Sequence, residues 1–377
     1  MIGFTISITA CLSRRFYCRR ELAASGSLRR KDLLGENCYM ASIYSIAKQL
    51  GVSSSTVARA LRPDSYCSPQ TRMLVQEEAK RQGYIPSDSA RSLRNKRTGR
   101  ILFCIPDIYN TFYFGMIQGA SEILEQFGYY TLLCHTNASL QKELQMVDNL
   151  RARVGDGMIF VSFDFVPELV AAINSCASPV VLTNMVDNPP PSPNYDCVFI
   201  DTYEGVRMAV KHLIQHGHTR IAYIGGDIHT HTGKERCEGY LSAMKEAGLP
   251  PFDNYDANGQ FTKSGGFLCA SALLRKKERP TAIMAANDLM ALGVIEACRE
   301  IQLRIPEDIS LIGMDNTTWG QFVSPPISSV TMREDEIGRM AATLLMERIQ
   351  NPNKQSSIIR LSPDLVVRES SNFLPDR

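Results

Sequence analysis

Ser53, Ser54, Ser55, Thr56 and Arg59 crowd four short hydroxyls and one guanidinium into a seven-residue window. Hydroxyls of this size reach base edges or phosphate oxygens, and an arginine offers two parallel donors to the acceptors of a guanine edge. The chemistry they suit is recognition of a duplex, not the making of bonds. The other reactive side chains offer less. His212 and His216 stand four residues apart, as two ligands on one helical face would, with His218, His229 and His231 nearby. No H-E-x-x-H accompanies them, and no metal is expected. Gly225-Gly226 lacks the remaining glycines of a dinucleotide loop, and no nucleophile elbow or phosphate-binding loop occurs. Neither an enzyme nor a cofactor is expected. Asp201, three residues before Glu204, reads as a helix cap in preference to a ligand contact.

The recognition groups need helices to carry them. Ile43, Ile46, Ala47 and Leu50 fall on one helical face, Gly51-Val52-Ser53 breaks the run, and Val57, Ala58 and Leu61 restart it. Two short helices at a sharp turn are helix-turn-helix grammar, and the second presents Ser54, Ser55, Thr56 and Arg59 opposite its apolar stripe. Ser42 and Ser53 are expected N-caps. A third helix opens at Ser68-Pro69 and stops at Gly83. The stretch from Tyr84 to Arg100 is too polar to fold alone. Arg91, Arg94, Lys96, Arg97 and Arg100 suit phosphates, and Leu93 is its one large apolar side chain after Ile85. On these residues alone a flexible basic linker is the preferred reading, against a helix that forms on DNA and wedges Leu93 between base pairs.

Charge follows the same division. The chain of 377 residues carries a net charge of +2, but residues 1–39 and 40–99 are basic and the remainder is acidic. A basic head on an acidic body points to a polyanion partner for the head. The first 39 residues show no sustained period and are expected to be a disordered basic arm or the product of an upstream start; their basic cluster follows the apolar stretch, so export is not expected. The eleven cysteines form no C-x-x-C pair and suit a reducing cytoplasm, and no apolar run is long enough for a membrane span.

From Ile101 strands alternate with helices. Ile101–Ile105, Tyr130–Cys134, Gly157–Val161 and Val180–Thr183 read as strands around a helix at Phe114–Phe127; a second series starts at Arg220–Ile224 and returns after Val330. The fold class is α/β: a three-helix head and hinge, then two parallel-sheet lobes around a cleft at the carboxyl ends of the strands.

The motifs I-A-x-x-L-G-V-S-x-x-T-V-A-R-A-L, S-P-Q-T-R, A-R-S-L-R, P-D-I-Y-N-T-F-Y, H-L-I-x-x-G-H-T-R-I-A-Y-I-G-G, A-N-D-L-M-A-L-G-V, I-P-E-D-I-S-L-I-G-M-D-N, P-P-I-S-S-V and L-V-V-R-E-S, in this order, resemble the LacI/GalR family of bacterial transcription repressors. The resemblance covers about 42–371. It implies a two-lobed body of the periplasmic-binding-protein type, a homodimer, and a palindromic double-stranded operator. It makes Ser54, Ser55 and Arg59 base readers and Ser53 and Thr56 backbone contacts. It also turns 87–94 into a hinge helix, with Arg91 and Arg94 on DNA and Leu93 in the minor groove, against the linker reading. For the effector it implies Asn110, Phe112 and Tyr113 on the first lobe, Arg236, Phe261 and Asn287 on the second, and Asp315 where the chain crosses back. A sugar is the expected effector, a purine the alternative, and a two-lobed solute receptor the alternative of a different class. The expected bounds are 40–86 for the head, 87–100 for the hinge, 101–202 with 330–368 for the first lobe, 203–329 for the second, and 369–377 for a tail. Trp319, the single tryptophan, is expected either at the cleft mouth or in the core.

Overall fold

The computed structural model describes residues 41–62, 65–85, 97–186, 189–191, 193–253 and 257–372. The expectations for 1–39, for the hinge helix and for Arg91, Leu93 and Arg94 lie outside the described residues. The chain divides into two compact units, 1–87 and 88–377.

In the first unit α1 (Ile43–Leu50), α2 (Ser54–Ala60) and α3 (Pro69–Arg81) follow from their caps. Ser42 and Ser45 form a reciprocal capping box, Ser53 accepts from the Thr56 amide, and Ser68 precedes a proline in the first turn. Gly51 ends α1 at φ 67°, a left-handed conformation that glycine adopts without a Cβ clash, and the chain reverses there into α2. Ile46, Ala47, Val57, Ala60, Val75 and Ala79 make the small core.

The second unit holds two sheets. Six parallel strands form the first in the order β10-β5-β4-β3-β1-β2: β1 (Arg100–Ile105), β2 (Tyr130–His135), β3 (Gly157–Phe160), β4 (Val180–Leu182), β5 (Asp196–Ile200) and β10 (Ile358–Leu361). The second runs β11-β9-β8-β7-β6, from β6 (Ile221–Ile224), β7 (Ala282–Ala285), β8 (Ser310–Asp315), β9 (Ser328–Thr331) and an antiparallel edge, β11 (Asp364–Val366). Strand side chains alternate between faces, so Ile101, Phe103 and Ile105 of β1 enter one core while Leu102 and Cys104 enter the other. Both faces are covered by helices. These are α4 (Phe112–Gln126), α5 (Leu140–Arg151), α6 (Pro167–Asn174), α7 (Thr202–Gln215), α8 (His231–Glu246), α9 (Lys263–Leu274), α10 (Asp288–Glu300), the short α11 (Thr318–Phe322) and α12 (Glu334–Gln350).

The chain passes between the sheets three times: after β5, after β9, and between β10 and β11. The expected assignment of 330–368 to the first lobe is corrected in its last part. α12 and β10 go with the first sheet, but Asp364–Val366 pairs with β9 in the second, because only two residues separate β10 from β11 and a step that short leaves no sequence signal. Asp315 is likewise corrected. It ends β8 in register with Thr331, and the crossing starts from Thr331, not from Asp315.

Candidate functional site

Ser53, Ser54, Ser55 and Thr56 are gathered at the start of α2, and Arg59 stands in its last turn. Ser53 Oγ accepts from the Thr56 amide at 3.1 Å and lies 2.7 Å from Ser55 Oγ and 2.9 Å from Thr56 Oγ1. Ser53, Ser55 and Arg59 are exposed while Val57 and Ala60 are buried beneath them. The opposite end of α2 is held by a residue that sequence reading passed over. Arg72 Nη1 donates to the carbonyls of Ala60 and Arg62, and its Nη2 donates to Ser65 O at 2.6 Å. A guanidinium saturating the last carbonyls fixes where the helix stops. Among the described residues this gives the S-P-Q-T-R motif a mechanical role.

The second candidate site lies between the lobes of the second unit. Asn110 follows β1 and turns its Oδ1 to the Phe112 amide at 3.0 Å, which starts α4 and sets Phe112 edge-on to Tyr113 with ring centroids 5.3 Å apart. Burial pushes the Asp315 carboxyl well above the usual range for an aspartate, against the pull of the Arg236 guanidinium and a hydrogen bond from Asn110. Burial raises the Tyr113 phenol, and Asp315 adds to that, so these four groups share one environment. Arg236, on α8, donates Nη1 to Ala286 O, and its guanidinium stands 5.4 Å from the Phe261 ring centroid. Its Nε is buried without a hydrogen-bond partner. Phe261 stacks on Phe163 of the opposite lobe at 4.9 Å and 18°. Gly226 permits that placement, since a Cβ there would meet the Phe261 ring at 2.1 Å.

Asn110, Tyr113, Arg236 and Asp315 therefore come together, with Phe112 and Phe261 beside them. Asn287 does not present a free amide. Its Oδ1 accepts from the Met290 amide at 2.8 Å as the cap of α10, and its Nδ2 donates to Phe261 O at 3.0 Å, so it positions Phe261. Three side chains that the sequence reading missed also meet here. Thr232 donates its amide and its hydroxyl to Phe163 O at 3.2 and 3.0 Å, and Asn184 Nδ2 donates to Thr232 Oγ1 at 2.7 Å. Phe163 and Asn184 follow the carboxyl ends of β3 and β4, where the strand-end rule places ligands. The space left between the lobes is about 60 Å3, bordered by Tyr113, Phe163, Asn184, Thr232 and Arg236.

Outside these sites, Asp201 caps α7 by accepting from the Glu204 amide at 3.0 Å. His218 lies within 3.0 Å of both Thr281 Oγ1 and Ser310 Oγ, and burial pushes it down to about 4, so it is a neutral strut across the start of the second sheet. Trp319 is 58% exposed, which removes the core alternative, and it does not border the interlobe space.

Two family models match: bacterial regulatory proteins of the lacI family over residues 42–87, and a periplasmic binding protein-like domain over 210–371. The HTH-type transcriptional repressor PurR of Pasteurella multocida is 32% identical over 332 residues, covering 88% of this chain and 98% of the relative. The ribose operon repressor of Escherichia coli K12 is 32% identical over 332 residues, covering 88% and 100%. Among solved structures, a complex of the transcriptional regulator CelR with cellobiose superposes with a TM-score of 0.67 at 28% identity, covering 88% of this chain and all of that one. A three-helix head, a two-sheet body, and identity sustained along nearly the full length of these repressors establish that the chain belongs to the lacI family of bacterial regulatory proteins.

Proposed function

We propose that the protein is a cytoplasmic repressor of a sugar-utilisation operon. It binds a palindromic duplex as a homodimer through α2 and the segment after Ile85, and is controlled by a small sugar bound between its lobes. The observation that carries the effector half is the Arg236 Nε, a buried donor without a partner, set between an aromatic pair and a buried carboxylate. Sugars meet both features: the apolar ring face packs on Phe163 or Phe261, and hydroxyls exchange hydrogen bonds with Arg236, Asn110 and Asp315. About 60 Å3 is well below the roughly 300 to 1,000 Å3 of small-molecule sites, so admission of a sugar requires the lobes to part. That motion gives the ligand its grip on DNA affinity, because a ligand shifts the equilibrium only by preferring one arrangement of the lobes.

Support for the dimer comes from β2, an edge strand of the first sheet that leaves Tyr130, Leu132 and Leu133 exposed, as is Phe114 of α4. An uncovered apolar edge of this kind is usually closed by a partner. No described helix is long and apolar enough to cross a membrane. The proposed activity requires no catalytic residue, metal or cofactor.

A second reading, control by a purine, is favoured by the nearly parallel Phe163 and Phe261 rings, which would flank a flat base once separated. A thermal-shift series with ribose, cellobiose, hypoxanthine and guanine separates the two readings, because only a ligand of the folded state raises the melting temperature. The repressor reading itself is tested by gel shift on palindromic duplexes, and failure of every palindrome to compete with random DNA would remove it.

A further inference from the structure

A larger concavity lies at the other end of the first sheet. The segments entering β1, β3 and β4 and the carboxyl ends of α5 and α12 enclose about 560 Å3, with Arg97, Tyr129, Arg151, Arg153, Asp156 and Arg348 in its wall. That volume suits a small metabolite.

Three of those charged groups are already engaged. Arg348 makes a buried two-point pair with Asp196 at 2.7 and 3.0 Å. Arg151 donates to Asp148, Ala172 O and Ser175 at 2.9, 2.9 and 2.8 Å. Asp156, the only carboxylate in the wall among the described residues, accepts from the amides of Thr98 and Gly99 at 2.8 Å. The Arg97 and Arg153 guanidinium groups are left over: the Arg153 amide donates to Leu150 O at 3.0 Å, but neither side chain has an ion pair or hydrogen bond with another described residue. Tyr129 adds a third donor, for the residue is 5% exposed and its hydroxyl is buried without a hydrogen-bond partner among the described residues. Burial pushes that phenol up, the positive charge of Arg97 works against the rise and the negative charge of Asp156 adds to it, and all three residues line the same cavity.

Arg153 also holds a conformation that glycine or asparagine would hold more easily. It stands at φ 58° just past the end of α5, so the guanidinium is kept there against a backbone preference. Surplus donors without a surplus acceptor select an anion, and paired guanidinium forks match the oxygens of a phosphoryl group.

We infer that this cavity is a second small-molecule site, separate from the interlobe cleft, and that its ligand is a phosphorylated metabolite held by Arg97, Arg153 and the Tyr129 hydroxyl. The phosphate backbone of DNA offers the same charge, but a recess of this volume favours a small molecule over a convex duplex.

Isothermal titration of the full chain with inorganic pyrophosphate and with ribose 5-phosphate, at constant ionic strength, tests the inference. Ribose reports any binding at the interlobe cleft, which the substitutions at Arg97, Arg153 and Tyr129 should leave unchanged. Saturable binding is expected with both anions, weakened at least tenfold by Arg153→Ala and by Arg97→Ala, several-fold by Tyr129→Phe, and unchanged by Arg59→Ala. Circular dichroism melts verify that each variant folds, and Arg153→Lys should recover part of the loss. The inference is overturned by an absence of saturable binding, by binding that survives the Arg97→Ala/Arg153→Ala double substitution, or by equal losses in Arg59→Ala. It is also overturned if Arg153→Ala weakens duplex binding while no small anion binds, which would assign the arginines to DNA. Failure of every sugar in the cleft would leave this outcome untouched, since the two sites share no residue.

Discussion

Asn184 and Thr232 stand on opposite lobes, and the 2.7 Å hydrogen bond from Asn184 Nδ2 to Thr232 Oγ1 ties them directly across the cleft. Because Thr232 also donates to Phe163 O, one threonine holds two segments of the facing lobe. Removing its hydroxyl by Thr232→Val takes away both bonds and should lower the weight of the closed arrangement by about 2 kcal/mol, at about 1 kcal/mol each. Operator affinity without sugar is then expected to change by up to about thirtyfold, in the direction opposite to that produced by a ligand that closes the lobes. Fluorescence anisotropy with a labelled duplex measures it, and an unchanged affinity would show that the bond has no part in the switch.

Asp288 makes the framework of the second lobe sensitive to pH. Its carboxylate accepts from the Thr317 amide at 2.6 Å, Thr317 Oγ1 at 2.9 Å and Ser329 Oγ at 2.7 Å. Even so, burial pushes it from 3.8 to about 6. The folded state therefore holds the proton more tightly than the unfolded chain. Its contribution is fully present below pH 3.8 and is lost as pH rises through about 6, a change of about 3 kcal/mol. Asp288→Asn loses part of the hydrogen bonding at every pH but does not titrate. Relative to the parent chain, the variant should gain about 2 kcal/mol of stability between pH 4.5 and pH 7.5, read from urea unfolding at several pH values. A constant difference across that range would mean that Asp288 ionises normally in the fold.

That carboxylate also shows where the sequence was legible and where it was not. The caps Ser42, Ser53 and Ser68, the glycine stop at Gly51 and the alternation of strands and helices were readable, because each depends on residues close in the chain. The motifs A-N-D, P-P-I-S-S-V and L-V-V-R-E-S were visible as text, but not the fact that they join one another. Asp288 accepts from Ser329, the Ser328 amide donates to Ser370 Oγ, and Arg368 reaches Ile327 O at 2.7 Å and Asn316 Oδ1 at 2.6 Å. For the same reason Asn287 was expected on the effector although both ends of its amide are spent on the scaffold. Phe163, Asn184 and Thr232 went unread because their partners lie across the fold, and no local spacing records such a pairing.

Arg236→Met should separate effector response from DNA binding. The substitution removes a guanidinium that stands over Phe261 and beside Asp315, while keeping a long side chain in the space. A charged hydrogen bond is worth about 1.5 to 3 kcal/mol, so ligand affinity is expected to fall about 10- to 200-fold with operator affinity in the absence of ligand nearly retained. Calorimetry with whichever sugar or purine stabilises the parent chain provides the measurement. Undiminished affinity in a folded variant would move the effector away from Arg236.

Two arginines near α2 should fail in different ways. Arg59 is exposed on the face that carries Ser55, whereas Arg72 is spent on carbonyls at the end of the same helix. Arg59→Ala is expected to leave the head folded, to cost about 1 to 3 kcal/mol on the preferred duplex, and to relax one position of the sequence, since a base contact is lost and no structural bond with it. Arg72→Ala leaves the carbonyls of Ala60, Arg62 and Ser65 without that donor, so it should destabilise the head and weaken specific and random DNA alike. Competition assays on a library of single-base operator variants, together with thermal melts of each protein, distinguish the outcomes. Equal losses on specific and random DNA for Arg59→Ala would remove it from the base readers. A specificity change in Arg72→Ala with no loss of stability would give that arginine a place on DNA in its stead.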